Sequence, residues 1–98
     1  MMDQFASHLS PDVLISRSTD LLMAELDEEI VLMSIDYGSY FGLAATARTI
    51  WRLLENPMRP EDIYLALARD YDGDPKAIEA DTMVFLNRLL VNGLIKLA

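Results

Sequence analysis

The chain predicts an α+β fold, a three-stranded antiparallel β-meander followed by a three-helix bundle, and three features carry this. Residues 21–43 hold three short apolar runs divided by acidic or glycine-bearing turns. From Ala45 onward the apolar residues recur every three to four positions, the period of a helix. Asp74-Pro75 then opens a last helix with the clearest start signal in the chain, a capping side chain followed by a residue suited to the first turn.

Val13-Leu14-Ile15 reads as a short strand or an apolar strap. Leu21 to Leu26 (LLMAEL) is closed by the acidic turn Asp27-Glu28-Glu29, and Ile30 to Ile35 (IVLMSI) follows, rich in β-branched residues. Asp36-Tyr37-Gly38-Ser39 has the turn chemistry that returns the chain into Tyr40 to Leu43. Because the connections are short, the three strands are neighbours in sequence order, and Tyr40–Leu43 is left with one backbone edge unpaired. That edge lacks the proline and lysine that commonly guard one. Phe41 and Leu43 share one face of the strand and Tyr40 takes the other. Gly42 permits a close backbone approach, or a twist where strand becomes helix.

The first helix carries Ala47, Ile50, Trp51 and Leu54 as one stripe and stops at Asn56-Pro57. The second begins at Pro60, with Glu61 and Asp62 near its positive end. Its stripe is Ile63, Tyr64, Leu67, Ala68 and Tyr71, and Asp72-Gly73 closes it. The third runs from Pro75 to about Val91, with Gly93 just past its end and Leu94-Ile95 as a brief terminal strand. Its second half, MVFLNRLLV over 83–91, is more apolar than one buried stripe requires. Ile78, Phe85, Leu86 and Leu89 suffice for the core, so Val84, Val91 and part of Met83 or Leu90 point elsewhere. Either the chain ends cover them or they line a groove.

Ninety-eight residues make one domain, with residues 1–12 expected as a tail and 13–98 as the folded body. A hydrophobic content of 52% with 24% charged residues belongs to a globular protein, and no apolar run approaches the roughly 20 residues that span a bilayer. No signal peptide is visible, so the expected location is the cytoplasm. There is no cysteine, which excludes disulfides, thiolate metal sites and cysteine nucleophiles, and the single His8 has no companion ligands at metal-binding spacing. The carboxylates sit at turns and helix starts, where capping and solvation explain them, so neither a catalytic centre nor a cofactor site is expected.

The net charge of −8 is unevenly spread. From Met1 to Leu43 eight acids face Arg17 alone, giving −7, whereas from Ala44 to Ala98 eight acids face seven bases, giving −1. An acidic half disfavours phosphate backbones and favours a basic partner. A winged-helix DNA-binding regulator would share the architecture, yet the third helix offers Lys76 and Arg88 against Glu79 and Asp81. The bare strand edge also allows a second copy of the chain to pair there, a homodimerising scaffold.

Taken in order, LDEE, IVLMSIDYGSYFGL, ARTIWRLL and EADTMVFLNRLLVNGLI resemble the PqqD-like family of RiPP recognition elements, over roughly Ile15 to Ile95. The resemblance implies a winged-helix-like fold and a non-catalytic domain that binds the leader of a precursor peptide. The leader would add as an antiparallel strand to the third strand of the meander, with side chains in the cleft against the third helix. The domain would present it to a modifying enzyme such as a radical SAM protein, a cyclase or a leader peptidase. Members serve pyrroloquinoline quinone and lasso-peptide biosynthesis, and the YFGL strand looks more like general or lasso-type relatives than those of the pyrroloquinoline quinone pathway. Carried over residue by residue, Tyr40, Phe41, Gly42 and Leu43 match the family's strand and Asp81, Phe85 and Leu89 its third helix; Ser39, Val84 and Arg88, next to these positions, complete the peptide-binding candidates. Apolar anchors would lie between Tyr40 or Phe41 and Val84 and Leu89, with Asp81 and Arg88 as charged contacts. Ala44 stands where relatives often place asparagine, which leaves the first helix weakly capped, and Met58-Arg59-Pro60 replaces a more usual threonine-containing helix start.

Overall fold

The structure, a computed structural model, describes residues 9–98. Its elements are β1 (Ile15–Arg17), β2 (Leu21–Glu25), β3 (Glu29–Ser34), β4 (Tyr40–Ala44), α1 (Ala45–Leu53), α2 (Pro60–Asp70), α3 (Pro75–Val91) and β5 (Ile95–Leu97). β2, β3 and β4 form an antiparallel sheet in sequence order, and β1 pairs with β5 in a separate two-stranded ribbon. The meander and the three helices follow the sequence pattern to within a residue or two.

Sheet register decides which side chains meet the helices. Met23, Leu32 and Phe41 align across the three strands, as do Glu25, Ile30 and Leu43. Ile30, Leu32 and Leu43 are buried from this face against Ile50, Trp51 and Leu54 of the first helical segment. Ile63 and Leu67 of α2 and Leu86 and Leu89 of α3 complete the centre. Thr82 is buried with them although its type suggests a surface position.

α3 is framed by two local devices. The Asp74 carboxylate accepts a hydrogen bond from the Lys76 amide at 3.2 Å, satisfying a donor that the helix start leaves free. At the other end Gly93 adopts φ +75°, its N–H bonds the Leu90 carbonyl, and the Leu94 N–H bonds the Leu89 carbonyl. That paired arrangement is a Schellman motif, which needs a residue tolerant of the left-handed region. It turns the chain into β5.

The ribbon closes the molecule end to end. Ile15 faces Leu97 and Arg17 faces Ile95 across it, and Ile15 exchanges two further backbone hydrogen bonds with Met58, of 2.8 and 3.0 Å. Arg17 lays its guanidinium 4.6 Å from the centre of the Trp51 ring and donates to the Trp51 carbonyl, linking ribbon and α1. Burial holds the Arg17 pKa below its ordinary value, partly offset by the carboxylate of Glu55.

Two expectations change. The folded body begins before residue 13: Leu9 is buried, its N–H donates to Asn87 Oδ1 at 2.9 Å, and the Pro11 carbonyl accepts from the Glu61 N–H. Apolar surface left by α3 and α2 draws this segment in, whereas His8 lies outside the described residues. The twist between strand and helix falls at Ala45, φ +53°, rather than at Gly42. Ala44 caps α1 without a side-chain hydrogen bond, as its type dictates. Passing from β4 into α1 without a loop forces one residue into the left-handed region, at a cost of about 1–2 kcal/mol for alanine.

Candidate functional site

The outer edge of β4 is unpaired among the described residues. Which of its backbone groups face outward follows from the ladder. The Ser34 N–H donates to the Ser39 carbonyl at 2.8 Å, so Ser39, Phe41 and Leu43 turn their backbone groups toward β3. By alternation Tyr40, Gly42 and Ala44 present their N–H and C=O groups to the open side. Ser39 itself sits at the end of the turn.

Beside this edge two concavities meet at Ala47 and Phe85. The one nearer the strand, about 270 Å³, is lined by Phe41, Gly42, Leu43, Ala44, Ala47, Phe85, Arg88 and Leu89. The second, about 440 Å³, lies between the start of α1, the end of α2 and the first half of α3. Its walls are Thr46, Ala47, Ile50, Leu67, Tyr71, Ile78, Thr82 and Phe85, with Asp72 and Asp81 contributing carboxylates. Together they make one mainly apolar groove that runs from β4 along α3.

Arg88 is placed by Phe41, its guanidinium 5.7 Å from the ring centre, within cation–π range. The groove is therefore electrically graded, with Arg88 beside the strand and Asp72 and Asp81 at the far end. Tyr71 is held by its hydroxyl, 3.0 Å from Thr49 Oγ1 on α1. The Glu29 carboxylate lies against Gly42, 2.6 Å from where a Cβ would stand, on the sheet face opposite the groove.

The structure gathers Phe41, Gly42, Leu43, Phe85, Arg88 and Leu89 around one concavity and puts Asp81 on the adjoining one. Two expected anchors fall elsewhere. Tyr40, 70% exposed, projects from the outer sheet face, and Val84, 62% exposed, lines neither concavity. Strand alternation already separated Tyr40 from Phe41. Val84 lies one position before Phe85, about 100° away around α3. The walls from Ile50, Leu67, Tyr71 and Ile78 had no local signal beyond membership of helix stripes, and Thr46 had none. Among the described residues no group of His, Asp or Glu could hold a metal ion, and no helix is long and apolar enough to cross a membrane.

Fold and groove together define a winged-helix-like α+β domain with an open strand edge. The family model described as Coenzyme PQQ synthesis protein D (PqqD) matches residues 29–95, and the chain belongs to this family. Solved structures agree. TbiB1 in complex with the TbiA(beta) leader peptide is 37% identical, with a TM-score of 0.75 over 83% of this chain and 94% of that one. A lasso peptide synthetase B1 complexed with its leader peptide is 26% identical, with a TM-score of 0.70 over 84% and 96%. The PqqD truncation of Methylobacterium extorquens PqqCD, a stand-alone RiPP recognition element, shares the fold at 22% identity, with a TM-score of 0.71 over 92% and 96%. No curated protein matches the chain by sequence.

Proposed function

We propose that this chain is a non-catalytic recognition domain that captures the leader of a ribosomally made precursor peptide and presents it, in the cytoplasm, to a modifying enzyme. The observation that carries the reading is the unpaired edge of β4 opening onto the groove beside α3. Relatives solved with leader peptides support it. The leader pairs antiparallel with β4, bonding to the outward groups of Tyr40, Gly42 and Ala44, each bond contributing about 1 kcal/mol net. Apolar side chains enter the groove against Phe41, Phe85 and Leu89, each contributing roughly 1.5–3 kcal/mol. Ordering the disordered leader costs about 2–5 kcal/mol in return. The balance gives micromolar to high-nanomolar affinity.

The graded charges set the order of charges that a leader should carry. A guest antiparallel to β4 passes the Asp72 and Asp81 end before it reaches Arg88, so a leader basic early and acidic later suits the groove best. The modifying enzyme belongs to the class that acts on such precursors, a radical SAM protein, a cyclase or a leader peptidase. Titration of ¹⁵N-labelled protein with the cognate leader tests the reading. Amide shifts should concentrate at 39–44 and 81–89, whereas an even spread over the sheet that spares them removes it. Light scattering with and without leader separates peptide capture from self-pairing through the same edge.

A further inference from the structure

The groove leaves the opposite face of the meander unexplained. Strand alternation brings Leu22, Met33 and Tyr40 side by side across β2, β3 and β4 on the face turned away from the helices. Ile35 prolongs the row, held there by its N–H donating to the Asp20 carbonyl at 3.1 Å. Leu22 is 58% exposed, Met33 43% and Ile35 58%. One large apolar side chain at the surface is ordinary, but a row crossing a whole sheet marks a contact surface.

The charges around the row identify what fits it. Residues 18–44 contain Asp20, Glu25, Asp27, Glu28, Glu29 and Asp36 and no lysine, arginine or histidine. Asp20 and Asp36 stand at the strand ends nearer the row, sharing a shallow concavity with Lys96, and the β2–β3 hairpin with Asp27, Glu28 and Glu29 lies at the opposite strand ends. Glu25 points to the helix side, where it pairs with Arg52 at 2.9 Å. The remaining acids have no ion pair among the described residues. A second copy of the chain would bring the same acidic frame to the contact, and anionic membranes or nucleic acid would meet like charge.

We infer that the outer face of the meander, centred on Leu22 and Met33 and framed by the Asp27-Glu28 hairpin, docks a basic, apolar-centred surface of the modifying enzyme. The identity of that partner rests on the reading under Proposed function; the surface itself does not involve the groove. Tyr40 borders both, since its side chain joins the row while its backbone faces the open edge. A leader on β4 is thereby held at the margin of the docked enzyme.

The test uses the full chain and, as probe, the purified modifying enzyme encoded with this chain's precursor peptide. Leu22→Ser/Met33→Ser should weaken enzyme binding about tenfold or more, as loss of a central contact does. Asp27→Asn/Glu28→Gln should weaken it about threefold, and wild-type affinity should fall as sodium chloride rises from about 50 to about 500 mM. Leader affinity and the thermal midpoint should stay near wild type in both variants, because none of the four residues lines the groove. Wild-type affinity in both variants, no binding by the wild-type chain, or a wild-type dimer that the Leu22/Met33 variant abolishes would each overturn the inference. Failure of the wild-type chain to bind leader, with enzyme binding that still depends on the face, would count against the groove reading and leave this one standing.

Discussion

The β1–β5 ribbon and the β4 edge are both short stretches of strand at the surface, yet one is closed and the other open. The ribbon joins the two ends of the described chain, with Ile15 and Ile95 buried and Arg17 stacked on Trp51. β4 is longer, has apolar side chains toward the core, and no strand pairs with its outer edge among the described residues. A terminal strand free to pair with β4 would fill the groove beside α3. Here β1 and β5 pair with each other instead, and among the described residues no strand occupies the β4 edge. Under the proposed function, stability and binding fall to different strands, and substitutions in one should leave the other nearly untouched.

The strongest attempt to break that separation is Ile15→Ala. It opens a cavity under the ribbon and should lower unfolding stability by about 2–5 kcal/mol in urea titrations, while the remaining folded fraction binds leader with unchanged affinity. Gly93→Ala comes next. It forces alanine to φ +75° and sets a Cβ 2.7 Å from the Tyr37 ring, so a loss of about 1–2 kcal/mol is expected, again without effect on leader affinity. From the other side, Gly42→Pro removes an outward N–H and leaves the bonds to β3 in place. The new Cβ displaces only the mobile end of the Glu29 side chain, so calorimetry should show leader binding weakened by about tenfold with a small fall in the thermal midpoint; equal affinity would mean that the leader does not pair with β4. The smallest effect is Arg88→Ala, which removes a cation from the Phe41 ring and should weaken leader binding about two- to fivefold.

Where structural information was local, the sequence was readable. Asp74-Pro75 and Gly93 delimit α3 because a cap and a left-handed residue act on their immediate neighbours. The meander was readable for the same reason, since tight turns between apolar runs leave little choice of partner. The ribbon was not, because three-residue strands about eighty positions apart carry no pattern that names a partner, and Leu9 meets Asn87 across a similar separation. At the site, strand alternation placed Phe41 and Leu43 on one side and Tyr40 on the other. The far half of the groove stayed hidden because it is made by three helices crossing, and stripes such as Ile50, Leu67 and Ile78 look the same whether they meet a neighbour or border a hollow. Ala45 was equally opaque: alanine gives no hint of a left-handed conformation, which here is imposed by the missing loop.

That missing loop has a kinetic corollary. With strand and helix spliced at a single residue, the Ala44 end of β4 has no slack with which to swing aside, so under the proposed function that end of the receptor is pre-formed before a guest arrives. Conformational search then falls mainly to the incoming peptide, and capture rates should track the stiffness of the leader.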